Sequence, residues 1–192
     1  MGVLAVHAPP YRREQDVFLI EMHLGHIVQL FNTLDPSPFL ERDLDPNAEH
    51  YLLGAVEELP AGAPFKILLH LPAGEREDPA ATQAADAIHH YFSGLASEAR
   101  RGLRAHLRAA RAALVMGGLF LAACLGFSGL IESRFHGLFA EFLSEGALIL
   151  GWVALWRPLD MFLYAWRPLR RQLRNLERIS TARVELACGG CA

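Results

Sequence analysis

Histidines at near-helical spacing are the first residues of this sequence that suggest chemistry. His23 and His26 are three positions apart, and Asp86, His89 and His90 have the i, i+3 and i+4 spacing that places side chains on one helix face. Imidazole nitrogens and carboxylate oxygens in such an arrangement can bind Zn²⁺ or transfer protons. The HExxH signature of zinc hydrolases is absent from the sequence. We therefore predict exposed or packed histidines, with no metal site and no cofactor.

A pair of cysteines close to the last residue is the second candidate. Cys188 and Cys191 form a CxxC motif, whose thiolates can bind a soft metal ion or form a disulfide. A structural zinc site needs four ligands, and the sequence contains only one further cysteine, Cys124. Two protomers could supply the four thiolates jointly, but we expect a frayed tail.

An acidic loop with two prolines is the strongest functional candidate. Residues 35–45, DPSPFLERDLD, combine four carboxylates with two proline rings that restrict the backbone. The carboxylates could bind a divalent cation, although the EF-hand pattern is absent. We favour a solvated loop or a surface that docks a protein partner. The residues of this possible docking loop are Asp35, Pro36, Glu41, Asp43 and Asp45.

Motifs of nucleotide-binding proteins and serine hydrolases are missing. The sequence has no GxxxxGK[ST], no GxGxxG after a predicted strand and no GxSxG. We therefore expect a protein without enzymatic activity.

The charges that surround these candidates divide between the two halves of the chain. Of 192 residues, 52% are hydrophobic and 20% are charged. Residues 1–99 hold 5 Lys and Arg against 15 Asp and Glu, a net charge of −10, whereas residues 100–192 hold 13 against 6, a net charge of +7. Two apolar segments lie in the basic half. This composition excludes a disordered chain, a collagen-like chain and an ordinary cytosolic globule.

The apolar segments predict two transmembrane helices. Residues 112–131 run for twenty positions without a charge, which is about the 30 Å thickness of a bilayer core. A second span is predicted at 139–156, after an external loop at 132–138. Glu141 and Glu145 lie one turn apart in its first half, near the outer interface or toward a partner helix.

Arginines set the expected orientation. Five of them lie in a basic juxtamembrane helix at 100–111, and six follow the second span within 157–178, whereas Arg134 alone lies between the spans. By the positive-inside rule both termini are cytoplasmic, with anionic lipid at the arginine clusters. Because each cluster adjoins an apolar segment, we do not expect nucleic-acid binding.

Small residues at four-residue spacing mark where helices can pack in a membrane. They allow either packing within the hairpin or contact between protomers. These residues are Gly118, Ala122 and Gly126 in the first span, and Ala147 and Gly151 in the second.

The acidic half has the pattern of a small cytoplasmic α/β domain, residues 1–99. Short apolar runs at 16–24 and 65–71 predict parallel strands joined by a helix that starts at Asp45-Pro46. A second helix starts at Asp78-Pro79, and we expect a break near Gly94. An amphipathic basic helix is predicted at 157–180, with Pro158 in its first turn, followed by a strand at 181–187 within a C-terminal segment, 181–192. The predicted fold is therefore a membrane α-helical hairpin plus a β-α-β-α domain whose last strand comes from the C-terminus.

Three segments carry a family resemblance. QLFNTLDPSPFLERDLD at 29–45, WRPLDMFLY at 156–164 and RVEL at 183–186 are similar to a poorly characterised group of small bacterial inner-membrane proteins. The members of that group have two spans and a cytoplasmic α/β portion. The resemblance implies this architecture and a bacterial inner-membrane location, and it assigns no catalytic role to any residue.

These patterns together lead to an expected function. We expect a non-enzymatic, homo-oligomeric integral membrane protein that scaffolds or regulates a membrane complex, through a protein partner that the sequence does not identify. The alternative is a small oligomeric ion channel in which Glu141 and Glu145 form an acidic outer vestibule.

Overall fold

The computed structural model describes residues 11–75, 77–134 and 137–188. The chain is mostly helical, with two long apolar helices and a small mixed four-stranded sheet. It divides into two compact units. The described residues of Met1–Glu98 and Leu173–Ala192 form the sheet unit, and those of Ala99–Gln172 form the helical unit.

The sheet has the strand order β1-β2-β3-β4, with bounds Arg13–Glu14, Val17–His23, Phe65–Leu71 and Arg183–Cys188. β1 is antiparallel to β2, whereas β2, β3 and β4 are mutually parallel. Side chains alternate between the two faces, so Ile20, Ile67 and Leu69 lie on one face and are fully buried. Polar residues occupy the carboxyl-end positions of the other face.

Helix α1, Pro46–Glu58, connects β2 to β3 and begins at the predicted residue. The backbone N–H of Asn47 donates to Asp45 Oδ1 at 2.8 Å, so Asp45 caps the helix and Pro46 fills its first position. Leu52 and Val56 are buried from the same helix face. The local start signal therefore acts as the sequence analysis proposed.

Helix α2, Pro79–Arg134, continues for 56 residues without the break expected near Gly94. Its start is capped by Asp78, which accepts from the N–H of Ala80 at 2.8 Å. Phe92 and Ala96, on either side of the glycine, are both buried. A glycine in a helix costs only about 1 kcal/mol relative to alanine, and the packing of its neighbours outweighs that cost.

Helix α3, Leu138–Leu163, extends beyond the expected end of the second span. Pro158 lies inside it, and the next helix, α4, begins at Trp166 and ends at Ser180. The structure thus places the helix start at Trp166 rather than at Pro158. Pro158 is buried, and its Cγ lies 3.3 Å from a Cβ built on Gly117, so packing favours the proline within α3.

The carboxyl-terminal half of α4 belongs to the sheet unit. Leu173, Leu176 and Ile179 are buried, and the Arg178 guanidinium donates to the carbonyl of Ala63 at 2.6 Å. This half of the predicted interfacial helix therefore uses its apolar face for the protein core. β4 follows directly and occupies the sheet edge next to β3.

Candidate functional site

Two histidines face each other at the carboxyl ends of the central parallel strands. His23 on β2 lies in register with His70 on β3. Their rings stack with centroids 4.3 Å apart and planes inclined by 15°. The carboxyl end of parallel strands is where α/β proteins commonly bind ligands.

A carboxylate joins the histidine pair. Glu21 lies two residues before His23 and therefore projects from the same sheet face. Its Oε2 lies 3.8 Å from Nε2 of His70, and one ligand atom from each of Glu21, His23 and His70 lies within 4.8 Å of the others. We call these three residues the edge cluster.

Two further side chains contact Glu21. Arg12 approaches Oε1 of Glu21 at 3.5 Å, and the hydroxyl of Tyr51 on α1 donates to the Glu21 carbonyl at 2.9 Å. Burial raises the pKa of Tyr51, with smaller contributions from the charges of Glu21 and Glu58. The strand end that carries the cluster is therefore anchored by α1.

His70 has an unsatisfied ring nitrogen. Its Nε2 is buried and has no hydrogen-bond partner among residues 11–75, 77–134 and 137–188. An unpaired buried polar atom costs about 1–3 kcal/mol. A hydrogen bond to Glu21 after a small movement, or a metal ion, would satisfy it. Two imidazoles and a carboxylate are a donor set that suits Zn²⁺ and related ions.

The histidine groups that were considered from their helical spacing do not come together within residues 11–75, 77–134 and 137–188. His26 Nδ1 lies 2.8 Å from Glu75 Oε1 rather than beside His23, and hydrogen bonding from His26 lowers the pKa of Glu75. His89 Nε2 donates to the carbonyl of Ala182 at 2.7 Å, which ties α2 to the start of β4. Asp86 is exposed. The helical spacing of Asp86, His89 and His90 therefore does not indicate a shared ligand site.

The acidic loop is organised by its own carboxylates. Asp35 accepts from the backbone N–H groups of Asp43 at 2.7 Å and Ser37 at 2.9 Å, and these bonds lower its pKa. Asp45 caps α1. Two of the five residues assigned to the docking loop thus hold the loop and the helix in shape.

A cavity of about 210 Å³ lies beside this loop. Tyr91 at its wall donates to Glu49 at 2.8 Å, and burial raises the Tyr91 pKa well above its ordinary value. Nε of Arg42 is buried and has no partner in the described part of the chain. The wall mixes both signs of charge and includes Glu41, Arg42, Asp43, His90 and Tyr91.

The helical unit contains close contacts between α2 and α3. The hydroxyls of Ser128 and Ser144 are 2.5 Å apart, and a Cβ built on Gly151 would lie 2.7 Å from Cδ1 of Leu121. A Cβ on Gly117 would lie 3.2 Å from Cδ1 of Leu155. Of these three contacts, the one that lies latest in α2 lies earliest in α3, and the one earliest in α2 lies latest in α3. The two contacting segments are therefore antiparallel.

The predicted packing residues divide into two groups. Ala147 and Gly151 are buried on the α3 side of this contact. Built Cβ atoms on Gly118 and Gly126 meet no described atom within 4 Å, and Ala122 is exposed. Of the two alternatives for Gly118, Ala122 and Gly126, which we call the Gly118 stripe, contact between protomers therefore stays open. Glu141 and Glu145 are both exposed.

The proximity of Glu21 and His70 to His23 was not predicted from the sequence. A detectable signal was present, since both strands carry polar residues near their carboxyl ends, in LIEMHL and in ILLHL. The CxxC motif stays a sequence prediction, because Cys191 and the preceding two residues lie outside the described residues.

We compared the chain with known protein families, curated proteins and solved structures. No protein-family model, no curated protein and no solved structure matches the chain.

Proposed function

We propose that this chain is an integral membrane protein whose segments 112–131 of α2 and 139–156 of α3 cross the bacterial inner membrane as a hairpin. Its sheet unit lies on the cytoplasmic side. It acts there as a non-enzymatic, homo-oligomeric scaffold or regulator of a membrane complex.

The exposed apolar surface of the two helices is the observation that carries this proposal. The most apolar stretch of 18 residues in each helix is only 11% buried and contains at most two charged residues. Leu119 is 67% exposed and Trp152 is 64% exposed. Each large apolar side chain gains about 1.5–3 kcal/mol when it leaves water, and lipid supplies that gain over the whole surface.

The sheet supports an even number of crossings. β3 precedes both apolar segments in sequence and β4 follows them, yet the two strands pair side by side. Residues that pair in one sheet lie on the same side of a membrane. A hairpin satisfies this condition, and the flanking arginines favour the cytoplasmic side.

Homo-oligomer formation is supported by the Gly118 stripe. Gly118, Ala122 and Gly126 recur every fourth residue on α2, and the described part of α3 leaves this stripe uncovered. Small residues at that spacing allow two helices to approach closely in lipid. A second copy of α2 is therefore the partner that this surface fits.

The experiment that tests the scaffold is disulfide cross-linking in native membranes. In a chain whose three cysteines are replaced by serine, Gly118→Cys should form dimers on mild oxidation. Leu119→Cys, one residue along α2, is the matched control and should cross-link much less. Absence of dimers at position 118, or release of the native chain by carbonate, would contradict the proposal.

An ion channel is the second candidate, favoured by the exposure of Glu141 and Glu145 in the first two turns of α3. Carboxylates at a pore mouth attract cations. Planar-bilayer recordings distinguish the two functions. Cation currents that decrease in the double variant Glu141→Gln, Glu145→Gln would favour the channel. Absence of any current through bilayers that contain the native chain would favour the scaffold.

A further inference from the structure

We propose that Glu21, His23 and His70 bind one divalent transition-metal ion of the Zn²⁺ type at the carboxyl end of β2 and β3. The proposal concerns the sheet unit alone, so it is independent of the membrane function.

The distances are close to those of a metal site. Zn²⁺ binds imidazole nitrogen and carboxylate oxygen at about 2.0–2.2 Å, which places tetrahedral ligands about 3.3–3.6 Å apart. Glu21 Oε2 and His70 Nε2 are already 3.8 Å apart, and the complete set lies within 4.8 Å. The His23 and His70 rings are stacked, and because His23 is exposed its ring can turn out of the stack to direct a nitrogen at the ion.

The buried ring nitrogen of His70 points to a ligand. His70 Nε2 lies within the edge cluster and finds no hydrogen-bond partner among the described residues. Oε2 of Glu21 lies 3.8 Å from this nitrogen, beyond hydrogen-bond range. A bound cation would satisfy this nitrogen and the Glu21 carboxylate together.

The protein also supports the orientation of the ligands. β2 and β3 hold His23 and His70 in direct register, and the hydroxyl of Tyr51 fixes the backbone of Glu21. Arg12 lies 3.5 Å from the Glu21 oxygen that does not face His70, and can keep the carboxylate oriented. Such supporting contacts are typical of metal sites.

The donor set determines the class of ion. Two imidazoles and one carboxylate favour Zn²⁺ and its neighbours in the transition series over Ca²⁺ and Mg²⁺, which prefer oxygen ligands. Three protein ligands leave one coordination position for water or for a ligand from outside the chain. This departs from the sequence prediction of no metal site, which considered His23 with His26 and not with His70.

The proposal is tested by Zn²⁺ competition titration of the full-length chain in detergent, without a polyhistidine tag and after chelator treatment. We expect one Zn²⁺ per chain at the cluster, and no displacement by millimolar Ca²⁺. His23→Ala and Glu21→Gln should each weaken Zn²⁺ affinity by more than about 100-fold, because loss of a contact that only supports a ligand already costs about 10-fold to 100-fold. His50→Ala is the control, because His50 is an exposed histidine on α1, and it should bind as the native chain does.

Two further variants keep the result decisive. His70→Ala should abolish the absorption spectrum of bound Co²⁺. If this variant does not fold, the Zn²⁺ affinity of His23→Ala is the test, because the side chain of His23 is exposed. Cys188→Ser combined with Cys191→Ser should leave the Zn²⁺ affinity unchanged. Zn²⁺ binding that survives His23→Ala and Glu21→Gln, or is lost with the cysteines, would overturn the proposal, as would a native chain that binds no Zn²⁺.

Discussion

Lys66 and Glu185 are 119 positions apart in sequence, and Nζ of Lys66 donates to Oε2 of Glu185 at 2.9 Å. Glu14 on β1 approaches the same ammonium at 3.0 Å. The three residues belong to three strands of one sheet. Their contacts therefore join chain segments that precede both apolar helices to a strand that follows them.

This ion pair predicts a pH-dependent stability. The hydrogen bond from Lys66 lowers the pKa of Glu185 below its ordinary value of 4.5. A carboxyl whose pKa is lowered by folding stabilises the protein above its unfolded-state pKa, and that stability is lost as pH falls through the folded-state value. Glu185→Gln should therefore lower the thermal midpoint near neutral pH, and the difference from the native chain should shrink toward zero in acid.

Circular dichroism of the chain in detergent, between about pH 7 and about pH 3, measures this difference. Glu77→Gln is the control, because Glu77 is exposed. If Glu185→Gln lowered the thermal midpoint by the same amount at every pH, the charge of Glu185 would not be the cause of the lost stability.

The cap of α1 predicts a second change in stability. Asp45→Ala removes the acceptor for the N–H of Asn47 and should cost about 1 kcal/mol of unfolding free energy. Asp45→Asn keeps an acceptor and should cost much less. Denaturant unfolding of both variants measures the difference, and equal losses would count against a capping role.

The closest approach of α2 and α3 predicts a steric effect. A Cβ on Gly151 would lie 2.7 Å from Leu121 Cδ1 and 3.2 Å from Cys124 Cβ, so Gly151→Val should destabilise the helix pair by about 1–3 kcal/mol. Gly146→Val, on the same helix, has open space and is the matched control. Unfolding in mixed detergent micelles compares them; equal effects would point to helix propensity instead.

The arginines before the first apolar segment predict the orientation in the membrane. Replacing all five within 100–111 by glutamate should disturb insertion or orientation, because positive charge favours the cytoplasmic side. Replacing them by lysine keeps the charge and should leave orientation unchanged. Protease protection of inverted vesicles reports both, and native orientation in the glutamate variant would contradict the expectation.

Local signals explain what could be predicted from the sequence. Asp45-Pro46 and Asp78-Pro79 begin helices because capping depends on neighbouring residues only. The strand runs at 16–24 and 65–71 agree with β2 and β3 to within one residue at each end. Gly94 and Pro158 were misleading, since packing of adjacent residues outweighs their local preferences.

The edge cluster could not be predicted in the same way. Its three residues come together only when β2 and β3 pair in one particular register, and His70 is 47 positions from His23. A shift by one residue would turn His70 to the opposite face. The composition of the acidic loop suggested a docking surface. In the structure, Asp35 accepts a backbone hydrogen bond within the loop and Asp45 caps α1.

The position of β4 has a consequence for biosynthesis. A ribosome makes residues 183–188 after both apolar helices, so β3 emerges long before the strand that pairs with its outer edge. Until then that edge has unpaired backbone groups, which attract other strands. Closure of the sheet is therefore a late event in the life of the nascent chain, because it waits for residues that are synthesised after α2 and α3.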